Sequence, residues 1–355
     1  ARTRSGDAKT PYSLPGPVAE SKPYIGGQAV LEGVMMRAPS CMTVAVRRPD
    51  GTIAVKEEAF NKTKAKSSPW KLPFLRGMAM LVESMRLGFR ALQFSAEQQL
   101  TEEQAKDEKG MSSNAAIAIS VVFALALFIA LPQGIAWGGL KVLGLDWAAN
   151  DWRYQALIGV AKLGVIGAYM IFVSRLPEMR RVFQYHGAEH KTIYAYEAGL
   201  PLTLDNVRAQ STLHPRCGTT FLIVVVFVSV FLFVAVAPFI TFMQGGYAQL
   251  QVLVIRLLLL PFIAAAAYEL QRLTARYCTT GPLRALLWPG FLFQKITTRE
   301  PDDAQLEIAI VAMKAAEWLD HATAPASPAE TPGLFTSFSA FEDALRARPA
   351  PLAAE

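Results

Sequence analysis

The chain has 355 residues, of which 52% are apolar and 18% are charged, and its formal net charge is +6. Several apolar runs approach or exceed the roughly 20 residues that cross a bilayer as a helix, which indicates a membrane protein. Nucleic-acid binding is not expected, because the basic residues are dispersed without a compact cluster or a recognised binding motif. Cys41, Cys217 and Cys278 are odd in number and far apart, which argues against a disulfide framework.

The N-terminal third is predicted to lie outside the membrane. Residues 1–23 are polar, contain Pro and Gly, and lack the apolar core of a signal peptide, so we expect a disordered lead-in. Residues 24–112 are predicted to form a small cytoplasmic region. Within it, alternating apolar residues on both sides of PDG at 49–51 indicate a β-hairpin. An amphipathic helix over 74–95 follows, and it either lies in the membrane interface or packs on the hairpin.

Residues 113–271 are predicted to form a membrane domain of four helices. The spans are expected at about 114–134, 153–174, 218–241 and 248–270. Lys and Arg are frequent before the first span and in the loop 175–217, whereas the loop between spans three and four has none. By the positive-inside rule, both termini and the loop 175–217 face the cytoplasm.

The last part of the chain is predicted to return to the membrane surface. Residues 272–321 contain a basic, aromatic stretch broken by prolines, which is expected to be interfacial or re-entrant, and then an amphipathic helix over 302–320. Residues 322–355 are rich in Pro and Ala and are expected to be a mostly flexible tail. The predicted fold is therefore an α-helical integral membrane protein with about four transmembrane helices and a small cytoplasmic α+β N-terminal region containing a β-hairpin.

The segment HGAEH at 186–190 is the main candidate for a functional site. On a helix, its spacing places the imidazoles of His186 and His190 on one face, one turn apart. Glu189 points near the same face and is the candidate general base for a metal-activated water, or a residue that holds a ligand in place. The order His-x-x-Glu-His is also that of inverted zincins, although so short a pattern arises often by chance.

The same predicted loop contains His214 and Cys217 at the start of span three. Zinc binds imidazole nitrogen and thiolate sulfur readily, so His186, His190, His214 and Cys217 are the candidate ligands of a divalent cation, with zinc expected. Four ligands would give a closed, structural site, whereas three would leave a position for water and chemistry. The alternative is that the histidines are interfacial anchors or hydrogen-bonded loop residues.

Other polar residues compete for a role. Glu32 and Glu197 are candidates to support the ligands, although Glu32 equally fits a loop cap. Lys162 and Arg256 fall near the middle of spans two and four, where charge is costly and no carboxylate lies deep enough to pair with them. They suggest a polar path or an anionic-lipid site, against the alternative that both snorkel toward the interface. His321 is expected to be an ordinary surface residue.

Three segments, GGQAVLEGVMMRAP, HGAEHKTIYAYE and HPRCGTTFL, together resemble the signature segments of the bacterial YqhQ family, a domain of unknown function. The resemblance covers roughly residues 24–320. It implies an integral inner-membrane protein with a cytoplasmic His/Glu/Cys cluster, in a family commonly labelled as predicted metal-dependent enzymes without an established reaction. The matching positions are His186, Glu189, His190, His214, Cys217, Gly26, Gly27, Gln28, Glu32 and Gly33.

Two functions from different classes are predicted. The first is a metal-dependent hydrolase in which activated water attacks an ester, amide or phosphoester near the membrane. The alternative is a non-catalytic membrane scaffold or biogenesis factor, with a structural metal and a larger membrane protein complex as its partner. Membrane lipids are expected contacts in both cases. Transport, suggested by Lys162 and Arg256, ranks last because the chain lacks an inverted repeat or paired broken spans.

Overall fold

The computed structural model describes residues 23–60, 75–100, 113–237, 247–278, 282–321 and 332–348. These residues form four long apolar helices, here the membrane domain, and a five-stranded sheet covered by helices, here the sheet domain. The prediction of a helical membrane protein with an N-terminal hairpin region is confirmed. Except for Pro23, the lead-in predicted for 1–23 lies outside the described residues.

Five antiparallel strands form the sheet in sequential order. They are β1 Gly26–Val30, β2 Gly33–Arg37, β3 Cys41–Arg47, β4 Ile53–Ala59 and β5 Gly333–Phe335. The predicted hairpin is the pair β3 and β4, in which Arg47 lies opposite Ile53. Its turn contains Gly51 at φ 85°, a left-handed conformation that glycine adopts without steric cost.

The strands β1 and β2 form a second hairpin that the sequence analysis did not predict. Val30 lies opposite Gly33, so the turn consists of Leu31 and Glu32, and Glu32 has φ 50°. Such turns usually carry Gly, Asn or Asp at the left-handed position. Because Glu32 replaces those residues, the usual sequence signal for a tight hairpin is missing here.

The α-helices of the described residues are numbered in chain order. They are α1 Leu75–Gln99, α2 Ser113–Leu125, α3 Leu131–Val142, α4 Trp152–Val173, α5 Pro177–Glu197, α6 Leu204–Arg208, α7 Gly218–Val236, α8 Ala248–Tyr277, α9 Trp288–Thr297, α10 Asp303–His321 and α11 Phe338–Ala347. A π-helical segment at Ala126–Ala130 joins α2 to α3, and a 3₁₀ segment at Pro282–Leu287 precedes α9.

Four helical stretches of the described chain are long and apolar enough to cross a membrane, as predicted. They are Ala118–Val142, Trp152–Val173, Gly218–Val236 and Leu250–Thr274. Span one continues to Val142 rather than ending near residue 134. Span three packs against spans two and four and also against α9. The segment predicted to be interfacial or re-entrant therefore includes a helix that packs on the start of span three, where Gly290 meets Thr220.

Helices cover both faces of the sheet. On one face, α1 packs Leu87, Ala91 and Phe94 onto the strands, so the predicted amphipathic helix contacts the hairpin region. On the other face, α10 and α5 both pack against the sheet and against each other. Since both faces are covered, residues of β3 that alternate with the valines are also buried, and the Thr43 hydroxyl donates to the carbonyl of Ala312 at 2.7 Å.

The helix predicted over 302–320 is α10, and it is buried from Gln305 to Met313 apart from Glu307. One prediction about the C-terminal part needs correction. The tail predicted to be flexible contains β5, which pairs with β4, and α11, whose Phe341 is fully buried. Apolar residues in a Pro- and Ala-rich context supply this order, and composition alone conceals them.

Candidate metal centre

The segment HGAEH lies on α5, so the predicted loop 175–217 is largely helical. The helix begins at Pro177. Proline suits this position, because the N–H groups of a first turn have no acceptor within the helix. Its second half, from Gly187 to Tyr196, is buried against β1 and α10. Gly187 is required there, because a β-carbon at this position would lie 2.1 Å from the carbonyl oxygen of Arg299.

Three potential metal ligands converge at the junction of α5 with the start of span three. His186 and His190, with ring centroids 4.4 Å apart, face Cys217, the N-cap residue of α7. One ligand atom from each residue lies within 4.8 Å of the other two, and Nε2 of His186 is 3.1 Å from Sγ of Cys217. These residues are called here the His–His–Cys cluster.

Backbone carbonyl groups fix both imidazoles of the cluster. Nδ1 of His186 donates to the carbonyl of Thr297 at 2.8 Å, and Nδ1 of His190 donates to the carbonyl of Thr212 at 2.5 Å. A carbonyl only accepts, so the Nδ1 atoms carry hydrogen and each Nε2 of a neutral ring keeps its lone pair for a ligand. Nε2 of His190 is buried, and no described residue hydrogen-bonds to it.

The spacing of the donor atoms suits a tetrahedral cation. Zinc–nitrogen and zinc–sulfur bond lengths place neighbouring donors about 3.3–3.6 Å apart in a tetrahedral shell. Nε2 of His186 and Sγ of Cys217 are 3.1 Å apart, slightly closer than in such a shell. All three ligand atoms lie within 4.8 Å of one another, so none is far outside it. Small side-chain rotations would therefore complete a three-donor site.

The protonation of His186 and that of Cys217 depend on each other. Burial by itself lowers the pKa of His186, but the nearby Cys217 outweighs it and raises that pKa to about 9. Burial raises the pKa of the Cys217 thiol, yet His186 and His190 bring it well below its usual value. Without a cation, the chain thus favours an imidazolium beside a thiolate, which is the ionised sulfur that a metal binds.

Glu189 is buried on the side of α5 that faces β1. A β-carbon on Gly27 would lie 2.7 Å from Cγ of Glu189, so the glycine in the GGQ segment makes room for this side chain. Burial raises the pKa of Glu189, although the neighbouring His186 and His190 oppose the increase. Glu189 is thus a buried carboxylate whose charge interacts with both imidazoles of the cluster, and it is not one of the three converging ligands.

His214 lies next to the cluster without joining it. Its ring centroid is 5.6 Å from that of His190, and its Nε2 is 3.5 Å from Oε2 of Glu197. Burial lowers the pKa of His214 to about 4, with the proximity of Cys217 opposing and that of His186 adding to the decrease. Glu197 also forms an ion pair with Arg216. Glu197 is therefore placed to act on His214 rather than directly on the cluster.

Glu32 lies at the β1–β2 turn. Its carboxylate accepts from Nε of Arg181 at 2.5 Å and from the hydroxyl of Tyr185 at 3.3 Å. Arg181, Tyr185 and Glu189 are spaced four residues apart on α5, so the first hairpin lies along one face of that helix. Glu32 thus fixes the position of α5 against the sheet at a distance from the cluster along the same helix.

Residues that sequence reasoning missed hold the cluster in place. Gln294 is fully buried on α9 and exchanges hydrogen bonds with the backbone N–H and carbonyl of His214, at 2.8 and 2.7 Å. Its amide also donates to the hydroxyl of Thr220 at 2.7 Å. Thr212 and Thr297 act through their backbone carbonyls, which no sequence pattern reveals. A buried glutamine in an otherwise apolar helix was the one signal available.

The fold and the site define a four-span membrane protein with a His–His–Cys cluster where span three meets a covered sheet. Residues 72–318 match the family model described as "Protein of unknown function (DUF1385)". The uncharacterized protein YqhQ of Bacillus subtilis (strain 168) is 33% identical over 305 residues, which cover 81% of this chain and 90% of that protein. The chain therefore belongs to this YqhQ-like family, as its three motifs predicted. No solved structure gives a significant match.

Proposed function

We propose that this chain is a divalent-metal-dependent hydrolase of the bacterial inner membrane, with zinc bound by His186, His190 and Cys217. The supporting observation is the convergence of three ligand atoms within 4.8 Å, with both Nδ1 atoms already hydrogen-bonded to carbonyls. A buried Nε2 without a partner, as on His190, is costly unless a ligand satisfies it.

A site with three protein ligands favours catalysis over a structural role. Nε2 of His214 lies 3.5 Å from Oε2 of Glu197 and is not one of the three converging ligand atoms, so the fourth tetrahedral position would be open to water. Catalytic zinc sites keep one such position, whereas structural sites are closed by four side chains. His214 is then a neutral neighbour that shapes the site.

A divalent cation held by His186, His190 and Cys217 would supply Lewis acidity for the activation of water. Glu189 takes a proton from the attacking water while the water oxygen bonds to the carbonyl carbon or phosphorus of the substrate. Glu189 then returns the proton to the leaving group as its bond to the substrate breaks. An ester, amide or phosphoester at the membrane surface is the expected substrate class, since Cys217 directly precedes span three.

The cluster is proposed to face the cytoplasm. Lys and Arg are frequent between spans two and three and absent between spans three and four. The positive-inside rule then places the sheet domain and both termini in the cytoplasm. Cytoplasmic thiols stay reduced, which keeps Cys217 available as a ligand.

The first test is the metal content of the purified protein and its variants. We expect about one zinc per wild-type chain and loss of it in His186→Ala, His190→Ala and Cys217→Ala, because each removes one of three ligands. His214→Ala should keep the metal. Cys278→Ala, which removes another buried thiol, is the matched control. A wild-type protein that takes up no divalent cation after reconstitution would refute the proposal.

The second test separates chemistry from metal binding. Glu189→Gln should retain zinc and lose turnover on a panel of chromogenic esters, amides and phosphoesters, because the amide cannot accept the proton. The expected loss is about 10²–10⁴-fold, the usual contribution of a general base. Full activity of Glu189→Gln on a substrate that wild type hydrolyses would exclude this role for Glu189.

A non-catalytic scaffold is the second candidate, and the outer face of α1 supports it. Val82, Met85, Phe89 and Leu92 form an exposed apolar stripe, in which Met85 is 73% exposed. Large exposed apolar patches mark interaction surfaces. A scaffold would copurify with a stoichiometric partner that Met85→Glu and Phe89→Glu release, while Glu189→Gln would leave cellular function intact.

A further inference from the structure

Two basic side chains are buried inside the membrane domain, away from the His–His–Cys cluster. Lys162 on span two is 9% exposed and Arg256 on span four is 5% exposed. They are called here the buried basic pair. Gln155 lies two turns before Lys162 on α4, and its Oε1 accepts from Nη2 of Arg256 at 2.5 Å. The guanidinium also lies 4.6 Å from the ring centroid of Phe233 on span three.

These contacts place the pair where spans two, three and four meet. Gln155 and Phe233 lie near the ends of their spans that are remote from Cys217, and Arg256 lies in the corresponding half of span four. Lys162 lies two helical turns further along the same face of α4 as Gln155. The structure thus buries two basic side chains among apolar spans, where charge is costly.

No carboxylate of the described residues neutralises the pair. Glu269, the carboxylate in span four, is thirteen helical residues from Arg256, which is about 20 Å along the axis, and it binds Arg76. The stretch between spans three and four contains neither Asp nor Glu. Nε of Arg256 is buried without a hydrogen-bond partner among the described residues.

Snorkelling does not resolve this charge. A snorkelling lysine or arginine extends its charged end to water or headgroups at the interface. Both side chains are instead more than nine-tenths buried by protein, and Arg256 is directed to Gln155 and Phe233. A negatively charged ligand held between the spans would supply the missing partner.

We propose that Lys162 and Arg256 form an intramembrane binding site for a phosphate-bearing anion. An ammonium with three donors and the remaining guanidinium N–H groups match the several oxygens of a phosphate. Basic pockets between transmembrane helices bind phospholipid headgroups by the same chemistry. An anionic phospholipid and inorganic phosphate share these oxygens, and the experiment distinguishes them. The site is independent of the proposed hydrolase activity.

The test uses the full chain purified in detergent. Thermal unfolding is measured with added phosphatidylglycerol, phosphatidylcholine or inorganic phosphate, the last against chloride at equal ionic strength. Stabilisation by phosphatidylglycerol but not by phosphatidylcholine identifies an anionic lipid as the ligand, and stabilisation by inorganic phosphate identifies the free anion. Either result supports the site. If none of these additions stabilises the wild type selectively, the proposal is wrong.

Variants assign the effect to the pair. Lys162→Met and Arg256→Met should each weaken binding of the stabilising anion about fivefold, as expected for one charge near a headgroup. Lys141→Met, which removes an exposed charge at the end of span one, should leave it unchanged. An anion preference that survives both substitutions in the pair would overturn the assignment.

Two further measurements keep the test decisive. Arg256→Lys retains the charge and replaces Arg256→Met if that variant fails to fold. Native mass spectrometry of the wild type reads lipid retention directly, without any substitution. Zinc content is recorded for every variant, because loss of anion binding with intact zinc separates a failure of this site from a failure of the proposed hydrolase site.

Discussion

The His–His–Cys cluster and the buried basic pair are both groups of polar side chains enclosed by helices. They differ in how far hydrogen bonds fix their side chains. In the cluster, both Nδ1 atoms are hydrogen-bonded to backbone carbonyls, and Gln294 fixes the segment that carries Cys217. In the pair, Arg256 is hydrogen-bonded to the neutral amide of Gln155 and lies over the ring of Phe233, as far as the described residues show.

The difference suggests two kinds of ligand site. A metal site needs lone pairs aimed at one point, so its side chains are fixed by hydrogen bonds before the cation arrives. An anion site needs donors and positive charge, and a membrane interior with few competing partners strengthens both. We therefore expect substitutions next to the cluster to lower the free energy of unfolding more than substitutions next to the pair.

The largest difference is expected between two glycines. In Gly187→Ala, the new methyl would lie 2.1 Å from the backbone carbonyl of Arg299, whereas in Gly159→Ala it would lie 2.6 Å from the side chain of Val230. A backbone carbonyl cannot move aside as a valine methyl can. Gly187→Ala should therefore lower the free energy of unfolding by about 3 kcal/mol or more, and Gly159→Ala by about 1 kcal/mol. Denaturant or thermal unfolding measures both, and equal losses would contradict the comparison.

A second difference is expected between two buried glutamines. Gln294→Leu leaves the backbone N–H and carbonyl of His214 without the Gln294 side chain as partner. It should lower the free energy of unfolding by about 2 kcal/mol and weaken zinc binding about tenfold. Gln155→Leu should leave zinc binding unchanged, because the Gln155 side chain hydrogen-bonds to Arg256 and to the carbonyl of Ala149 and not to the cluster. Competition with a chromophoric chelator measures both affinities. A tenfold loss in Gln155→Leu would show that the two sites are coupled.

The third prediction concerns acid sensitivity. The pKa of His214 falls from its ordinary value near 6.5 to about 4 in the fold, so the unfolded chain binds the extra proton between these values. Stability should therefore fall as the pH decreases from 6.5 toward 4, by up to about 3 kcal/mol from this group. His214→Gln should reduce this loss of stability between pH 6.5 and 4, whereas His321→Gln on the exposed end of α10 should not. Unfolding measured as a function of pH tests both.

The smallest effect is expected from neutralising the pair in the absence of an anion. Replacing a buried charge by an apolar side chain of similar length is often neutral or stabilising. Lys162→Met should therefore change the free energy of unfolding in lipid-free detergent by about 1 kcal/mol or less. Chemical denaturation in a neutral detergent measures this change. A loss of several kcal/mol would mean that Lys162 already has a strong partner within the protein.

The sequence predicted those features that depend on composition, period and spacing. The four spans, the β3–β4 hairpin and the helical spacing of His186 and His190 follow from patterns a few residues long. What it could not predict depends on contacts between distant segments. The position of His214 beside Glu197, the carbonyl partner of each imidazole and the burial of α10 are set by packing of elements that no local pattern connects.

Chain connectivity of the sheet domain has a consequence for how the protein is made. Its strands β1 to β4 precede the first span, α5 lies between spans two and three, α10 follows span four, and β5 comes last. A ribosome therefore releases the strands well before the helices that shield one face of them. All four spans are synthesised before α10 completes the cover of that face, so the nascent chain needs protection by a chaperone or the membrane surface until then. Stalled or truncated chains should accordingly be favoured targets of proteolytic quality control.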